Sequence, residues 1–299
     1  MEIHNLKSDD LPALASLCQL ALPYDTWTVD LLTYQLFEQP NANPAHQLLA
    51  WEGSQLVGAM LGGTRTTDEG TQGWLRLFAT HPHQQRQGIA TALLQELERR
   101  FQADGIEKLA IANSVPCYLW PGLDVRYTPA FCFLQRHGYQ QTGEGVNMHV
   151  DLNGQSWDTA DEEAFLSLEG FRIRRLEAND RIAFSDWLLR TWNPAWQAEG
   201  LLTYKRDPIS AFVAEYNGRI CAFAAYGVSS FPYSFGPTGT EEILRGKGLG
   251  RVLFYRCMQD LKDQGHQYAE VSWVGPIVYY AKIANASIHR VFWYLEKSL

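Results

Sequence analysis

Apolar side chains recur every fourth residue from Ile89 through Leu93 and Leu97 to Phe101, and the same spacing returns at Leu249, Leu253, Cys257 and Leu261. A period near 3.6 predicts two amphipathic helices, each with one face turned to a core. The elements around them also come in matching order. In the first half, Ile3–Leu6 reads as a short strand. Ser8-Asp9-Asp10 then caps a helix carrying Leu11, Leu14, Leu17 and Cys18, whose pattern fades near Pro23. A polar stretch from Pro40 to Pro44 precedes strands at Gln47–Trp51, Leu56–Gly62 and Trp74–Thr80. After the amphipathic helix come a stop at Asp104-Gly105, a strand at Lys108–Ala112, a connection holding Pro116, Pro121 and Pro129, a helix near Ala130–Arg136 and a strand at Gly145–Leu152.

The second half repeats this. Arg172–Leu176 is a strand, and Asn179 or Asp180 caps a helix through Leu189. Ala211–Tyr216 and Arg219–Tyr226 flank Asn217-Gly218, a strong hairpin signal. A strand ending near Thr240, the second amphipathic helix, a strand at Tyr268–Trp273, a helix near Tyr279–Ile283 and a last strand to Glu296 complete the copy. Asn153–Gly170, acidic and partly helical, lies between. A repeated order of this kind predicts two α+β domains of one fold, at 1–152 and 171–299, joined by an acidic linker at 153–170.

Each amphipathic helix opens on a glycine-bearing loop. The second is Leu244-Arg245-Gly246-Lys247-Gly248-Leu249-Gly250-Arg251. Glycines permit a tight turn and close approach of a ligand, and a helix start aims unpaired N–H groups at the loop, so the stretch is an anion cradle. It is not a Walker loop, because Glu241 replaces the first Gly and Gly248 follows Lys247 where Ser or Thr is needed. Nor is it a dinucleotide fingerprint, because Arg251 stands at the third Gly. What remains is R-x-x-G-x-G. The first loop, Gln85-Arg86-Gln87-Gly88-Ile89-Ala90, is a looser copy 160 positions upstream (245 − 85).

These two loops resemble the pyrophosphate loop of the GCN5-related N-acetyltransferases, and the chain is similar to a tandem two-domain member of that family. The resemblance implies two domains, each a mixed, mostly antiparallel twisted sheet flanked by helices, and acetyl-coenzyme A as cofactor. It implies that Gln85, Arg86, Gln87, Gly88, Ile89 and Ala90, and likewise Arg245, Gly246, Lys247, Gly248, Leu249 and Gly250, hold the pyrophosphate. The strand ends Phe78-Ala79-Thr80 and Thr238-Gly239-Thr240 would offer backbone groups to the pantetheine arm and thioester, as Asn113 would with its side chain.

Acetyl transfer to an amine also needs a neutral nucleophile and an acid for the departing thiolate. Freeing a lysine-like amine at pH 7 costs about 4.6 kcal/mol, from a pKa near 10.4. Glu241 and Glu242 in the second half, and His81 and His83 in the first, are candidates for the base; a solvated surface role fits each as well. For the acid, Tyr279-Tyr280-Ala281-Lys282 resembles the family's F-Y-E-K opening and puts Tyr280 at its tyrosine, with Asn285 where a Gly usually stands. A phenol stays protonated at pH 7 and can donate to a thiolate. Packing is the alternative role for Tyr280. In Phe133-Leu134-Gln135-Arg136-His137-Gly138-Tyr139 the same position is Leu134, which donates nothing, although Tyr118 or Tyr127 could substitute. This favours the second domain for chemistry.

Composition narrows the classes. With 299 residues, 46% apolar and 19% charged, the chain can bury two cores. No apolar run reaches about 18 residues, so no membrane span is expected. The start Met1-Glu2-Ile3-His4-Asn5 lacks signal-peptide order, and a cytoplasmic protein is expected. Cys18, Cys117, Cys132, Cys221 and Cys257 are scattered, without metal spacing, and read as reduced thiols, so no metal is expected. Residues 1–155 carry 9 Lys or Arg against 16 Asp or Glu, and the rest 16 against 17, summing to the formal charge of −8. Neither half has the basic footprint that nucleic acid needs. The expected partner is a small-molecule or peptide amine, and monomer and homodimer are both open. Two further readings remain: a non-catalytic module that senses coenzyme A or holds a partner, and an acyltransferase using a longer acyl-CoA.

Overall fold

A computed structural model describes residues 1–39, 42–67, 70–116, 118–228 and 231–299, with Thr67 described in its backbone only. Pro40 and Cys117 lie outside the described residues. The chain divides into two compact units, Met1–Glu144 with Phe292–Leu299, and Gly145–Val291.

In the first unit, β1 (Glu2–Asn5), β2 (Ala42–Glu52), β3 (Gln55–Thr67) and β4 (Gly70–Thr80) pair antiparallel in sequence order. β4 then pairs parallel with β5 (Lys108–Ile111). α1 (Leu11–Ala21) and α2 (Val29–Phe37) precede β2, α3 (Ile89–Ala103) crosses from β4 to β5, and β6 (Leu123–Asp124) and α4 (Thr128–Arg136) follow. The α3 face expected from the spacing is the buried one: Ile89, Leu93, Leu94, Leu97 and Phe101 are all at most 3% exposed. Burying each contributes about 1.5–3 kcal/mol. The helix presses so close to β3 that a Cβ on Gly58 would stand 2.7 Å from Ile89 Cγ2. α2 was not evident from periodicity. Its start is marked by Thr28, whose hydroxyl accepts from the Leu31 N–H at 3.1 Å.

The second unit repeats the plan. β8 (Phe171–Arg175), β9 (Ala211–Tyr216), β10 (Arg219–Tyr226) and β11 (Ser234–Thr240) pair antiparallel, and β11 pairs parallel with β12 (Tyr268–Val271). Strand alternation sorts β10 between two cores. Ala222, Ala224 and Tyr226 face the cluster built on α8 (Leu249–Asp263), whereas Phe223 and Ala225 face Phe184, Trp187 and Leu188 of α6 (Arg181–Thr191). α7 (Pro194–Leu201), another helix that periodicity did not reveal, starts at Asn193, which accepts from the Trp196 N–H at 3.0 Å. α9 (Ile277–Ala284) follows β12.

Two features differ from the expected bounds. The stretch 153–170 contains α5 (Ala160–Leu168), and Trp157 and Leu166 are buried in the α8 core, so it is part of the second unit rather than a free connection. The units also exchange strand ends. β7 (Gln140–Asp151) enters the second unit at Gly145 and pairs antiparallel with β12; β13 (Ser287–Ser298) ends in the first unit, where Glu296–Ser298 pair with β5. Lys297 Nζ reaches Glu98 on α3 at 2.8 Å. Chain order alone does not reveal this exchange, because a strand pattern does not specify its neighbour.

Phe292 is fully buried where β13 enters the first unit. Phe292→Ala is expected to cost about 3–5 kcal/mol in urea unfolding, with the loss in the transition of the first unit. An unchanged midpoint would mean that the strand end does not support that unit.

Candidate functional site

Both loops have one backbone conformation. His81 and Glu241 open them with φ of −52° and −50°, one 3-10 turn follows (Pro82–Gln84; Glu242–Leu244), and Gln85 and Arg245 are extended. Arg86 and Gly246 then have φ of 65° and 84°, and Gly88 and Gly248 have 87° and 91°. The left-handed glycine is the residue before α3 and before α8, and has no side chain to cap the helix. The first helical bonds run from Ala92 N to Gly88 O and from Arg251 N and Val252 N to Gly248 O, so the N–H groups that precede them have no partner within the helix. A Cβ on Gly88, Gly246 or Gly248 would meet nothing within 4 Å. Each cradle therefore opens on space, as a bound diphosphate requires, and the residues present fit that group.

Charge differs between the two. The second loop carries Arg245, Lys247 and Arg251, and α5 stands beside it. Lys247 Nζ lies 3.4 Å from Glu169 and an Arg251 guanidinium nitrogen 2.5 Å from Glu162. A pocket of about 290 Å³ beside Gly248 is lined by Asp161, Glu162, Phe165, Lys247 and Arg251. These half-exposed pairs are worth at most about 1 kcal/mol each, so an incoming anion can displace them. In the first loop Arg86 is the one cation, and Gln87 bonds back to the His83 carbonyl at 3.4 Å.

The strand before each loop outruns its parallel neighbour. Register with β5 ends at Leu75↔Ile111 while β4 continues to Thr80; register with β12 ends at Phe235↔Val271 while β11 continues to Thr240. Phe78, Ala79 and Thr80, and Thr238, Gly239 and Thr240, thus keep an antiparallel partner on one side only. The open side offers main-chain donors and acceptors in a wedge leading to each cradle.

Other candidates are placed as follows. Asn113 Oδ1 accepts from Trp74 Nε1 at 2.8 Å. Glu241 Oε1 accepts from Trp187 Nε1 at 2.7 Å, while Glu242 and His83 are exposed and His81 Nδ1 accepts from the His83 N–H at 3.3 Å. Leu134 and Tyr280 occupy matching buried positions of α4 and α9, at 0% and 5% exposure. The Tyr280 ring packs 5.5 Å from Phe254 and 6.1 Å from Phe235, its hydroxyl bonds to no described residue, and burial pushes its pKa well above the ordinary phenol value. Tyr118 is buried and the Tyr127 ring tilts against Tyr24 at 5.0 Å.

For two residues, Trp192 and Tyr279, the sequence does not give a place at the site. Trp192, just after α6, lies on β11, where a Cβ on Gly239 would clash with its ring, and it stacks on Trp196 at 5.1 Å. Tyr279 stands beside the second cradle, where a Cβ on Gly250 would be 3.2 Å from its hydroxyl. A large aromatic opposite a glycine was the available signal for both. Among the described residues, no three His, Cys, Asp or Glu side chains gather as a metal site needs, and no helix is long and apolar enough to cross a membrane.

Known proteins agree with this geometry. Residues 14–118 match the model of the acetyltransferase (GNAT) family. An acetyltransferase of Pectobacterium atrosepticum is 30% identical over 112 residues, covering 36% of this chain and 73% of that protein. Among solved structures, a GCN5-related glucosamine N-acetyltransferase region of a fungal multi-domain β-N-acetylglucosaminidase is similar over 99% of this chain, with TM-score 0.80 and 18% identity. This chain spans 38% of that protein's length. A tandem GNAT protein from the clavulanic acid biosynthesis pathway is similar over 99% of this chain and 98% of its own, with TM-score 0.73 and 15% identity. The match over most of the Pectobacterium relative, joined to the two cradles and their wedges, makes this chain a member of the GNAT acetyltransferase family.

Proposed function

We propose that the protein is an acetyl-CoA-dependent N-acetyltransferase that moves the acetyl group directly to an amine of a small-molecule or peptide acceptor, with its chemistry in the second unit. The observation that carries this reading is the Gly246–Gly250 cradle, with three basic side chains around it and the β11 wedge leading away from it. First-turn N–H groups hold a diphosphate through hydrogen bonds to charge worth about 1.5–3 kcal/mol each. Bound acetyl-CoA supplies the acyl group as a thioester. The backbone of Thr238–Thr240 orients the arm and polarises the carbonyl; the first unit offers the same with Phe78–Thr80 and Asn113.

The acceptor amine must lose a proton. Glu241, fixed by Trp187, and its neighbour Glu242 take it through water at the mouth of the second wedge. Tyr280 gives a proton to the departing thiolate; burial keeps that phenol protonated at neutral pH. Leu134 cannot do this in the first unit, which supports assigning turnover to the second. The first cradle then holds the same cofactor without turnover. The acidic charge and the free Cys18, Cys132, Cys221 and Cys257 fit a reducing cytoplasm.

Gly248→Asp tests the cradle, because its side chain would enter open space and place a carboxylate against the diphosphate. Thiol release from acetyl-CoA over a panel of amines is expected to vanish in this variant, while the left-handed backbone at Gly248 lowers its thermal unfolding only by the few degrees that about 1–2 kcal/mol represents. Undiminished turnover would move the reaction to the first unit, and no turnover by the wild type on any amine would favour a binding module. Tyr280→Phe is expected to slow turnover at least tenfold with little change in acetyl-CoA affinity. Equal rates would leave Tyr280 a packing residue.

A further inference from the structure

We propose that Tyr279 anchors the cofactor in the second unit by donating a hydrogen bond to the diphosphate of a coenzyme A seated at Gly248–Gly250. The inference rests on the reading above and adds a residue, and a task, to it.

Tyr279 and Tyr280 are adjacent on α9, with ring centroids 5.1 Å apart and planes 76° apart, yet they meet different neighbours. The Tyr280 ring enters the α8 core between Phe235 and Phe254. The Tyr279 hydroxyl instead stands over the first turn of α8. The Cβ that Gly250 lacks would lie 3.2 Å from it and 3.8 Å from Thr240 Oγ1. That is tighter than ordinary contact, so a glycine there makes room for the phenol. The hydroxyl thus lies where the N–H groups of Leu249 and Gly250 and the end of β11 converge.

Partly buried phenols normally find a partner. Tyr255 donates to the Ile283 carbonyl at 2.7 Å, and Tyr226 to Asp260 at 2.6 Å. The Tyr279 hydroxyl bonds to no described residue, although its backbone N–H donates to the Pro276 carbonyl at 3.0 Å. It stands close to the helix start and within the field of Arg251, both of which favour an anion. Burial raises its pKa to about 12, so it remains a donor across the working pH range.

The first unit provides a natural comparison. Ala90 stands where Gly250 does, 160 positions earlier, and Phe133, the residue before Leu134, stands where Tyr279 does. Phe133 carries no hydroxyl; its ring lies 6.3 Å from Phe78 and 4.6 Å from His137. The glycine and the phenol occur together in one unit, and the alanine and the phenyl ring in the other. A pair that only filled space would need no hydroxyl.

The test is calorimetric titration of Tyr279→Phe in a Gly88→Asp background, which silences the first cradle. Tyr→Phe keeps the ring and its packing. Coenzyme A and dephospho-coenzyme A both keep the diphosphate, and both are expected to bind about 10- to 50-fold more weakly than to Gly88→Asp alone. Pantetheine, which has no phosphate, is expected to be unaffected. In steady-state assays the variant should show a raised KM for acetyl-CoA with kcat retained at saturation. Coenzyme A affinity within twofold of the background overturns the anchoring role, as does an equal loss for pantetheine or a fall in kcat with KM unchanged. A Gly88→Asp protein that binds no coenzyme A at all defeats the proposed function together with this inference, whereas a bound but Tyr279-insensitive cofactor defeats the inference alone.

Discussion

A glycine in the left-handed region at the start of a long amphipathic helix is the constraint on which both sites depend. At Gly88 and Gly248 the chain must turn with φ near 90°, a conformation that costs side-chain-bearing residues about 1–2 kcal/mol. It must also leave the first-turn N–H groups without a side-chain cap. Those unmet donors would be a defect in a purely structural helix. Here they face open space at the end of a strand that has parted from its neighbour. The strain, the missing cap and the wedge are three parts of the proposed diphosphate cradle, made twice at a separation of 160 residues.

The helices behind the cradles hold that device still. Leu93, Leu97 and Phe101 on α3, and Leu253, Cys257 and Leu261 on α8, have no measurable exposure, so each helix is pinned to its sheet along its full length. On the opposite face of β10, α6 and α7 supply the aromatic cluster of Phe184, Trp187, Trp192 and Trp196 around Phe223. One face of the sheet therefore fixes the glycine loop, and the other brings Trp192 onto β11 and Trp187 onto Glu241. The two units differ in what they add to a shared frame. The second has the phenols of Tyr279 and Tyr280 and more positive charge near its loop; the first has Phe133 and Leu134.

Where one local rule governs an element, the sequence reveals it. The i, i+4 apolar series marked α3 and α8, Asn217-Gly218 marked the β9–β10 hairpin, and the glycine spacing marked both cradles. α2 and α7 were missed because they are short and declare themselves by a cap, at Thr28 and Asn193, more than by a stripe. The role of α5 was hidden because its acidic composition resembles a solvated connector, while its apolar contact with the core is made by Leu166 and the preceding Trp157. The strand exchange at β7 and β13 and the direction of the Tyr279 hydroxyl are relations between distant residues. No periodicity within a window encodes them.

The central claim is that each chain carries two cofactor cradles of one backbone form. Its most direct test is calorimetric titration of the intact protein with acetyl-CoA, repeated on Gly88→Asp. The account predicts two sites per chain falling to one, with the surviving site keeping its affinity. A stoichiometry that does not change on Gly88→Asp would contradict the assignment of the first loop to a cofactor, and the absence of binding in the wild-type protein would contradict the assignment of either loop.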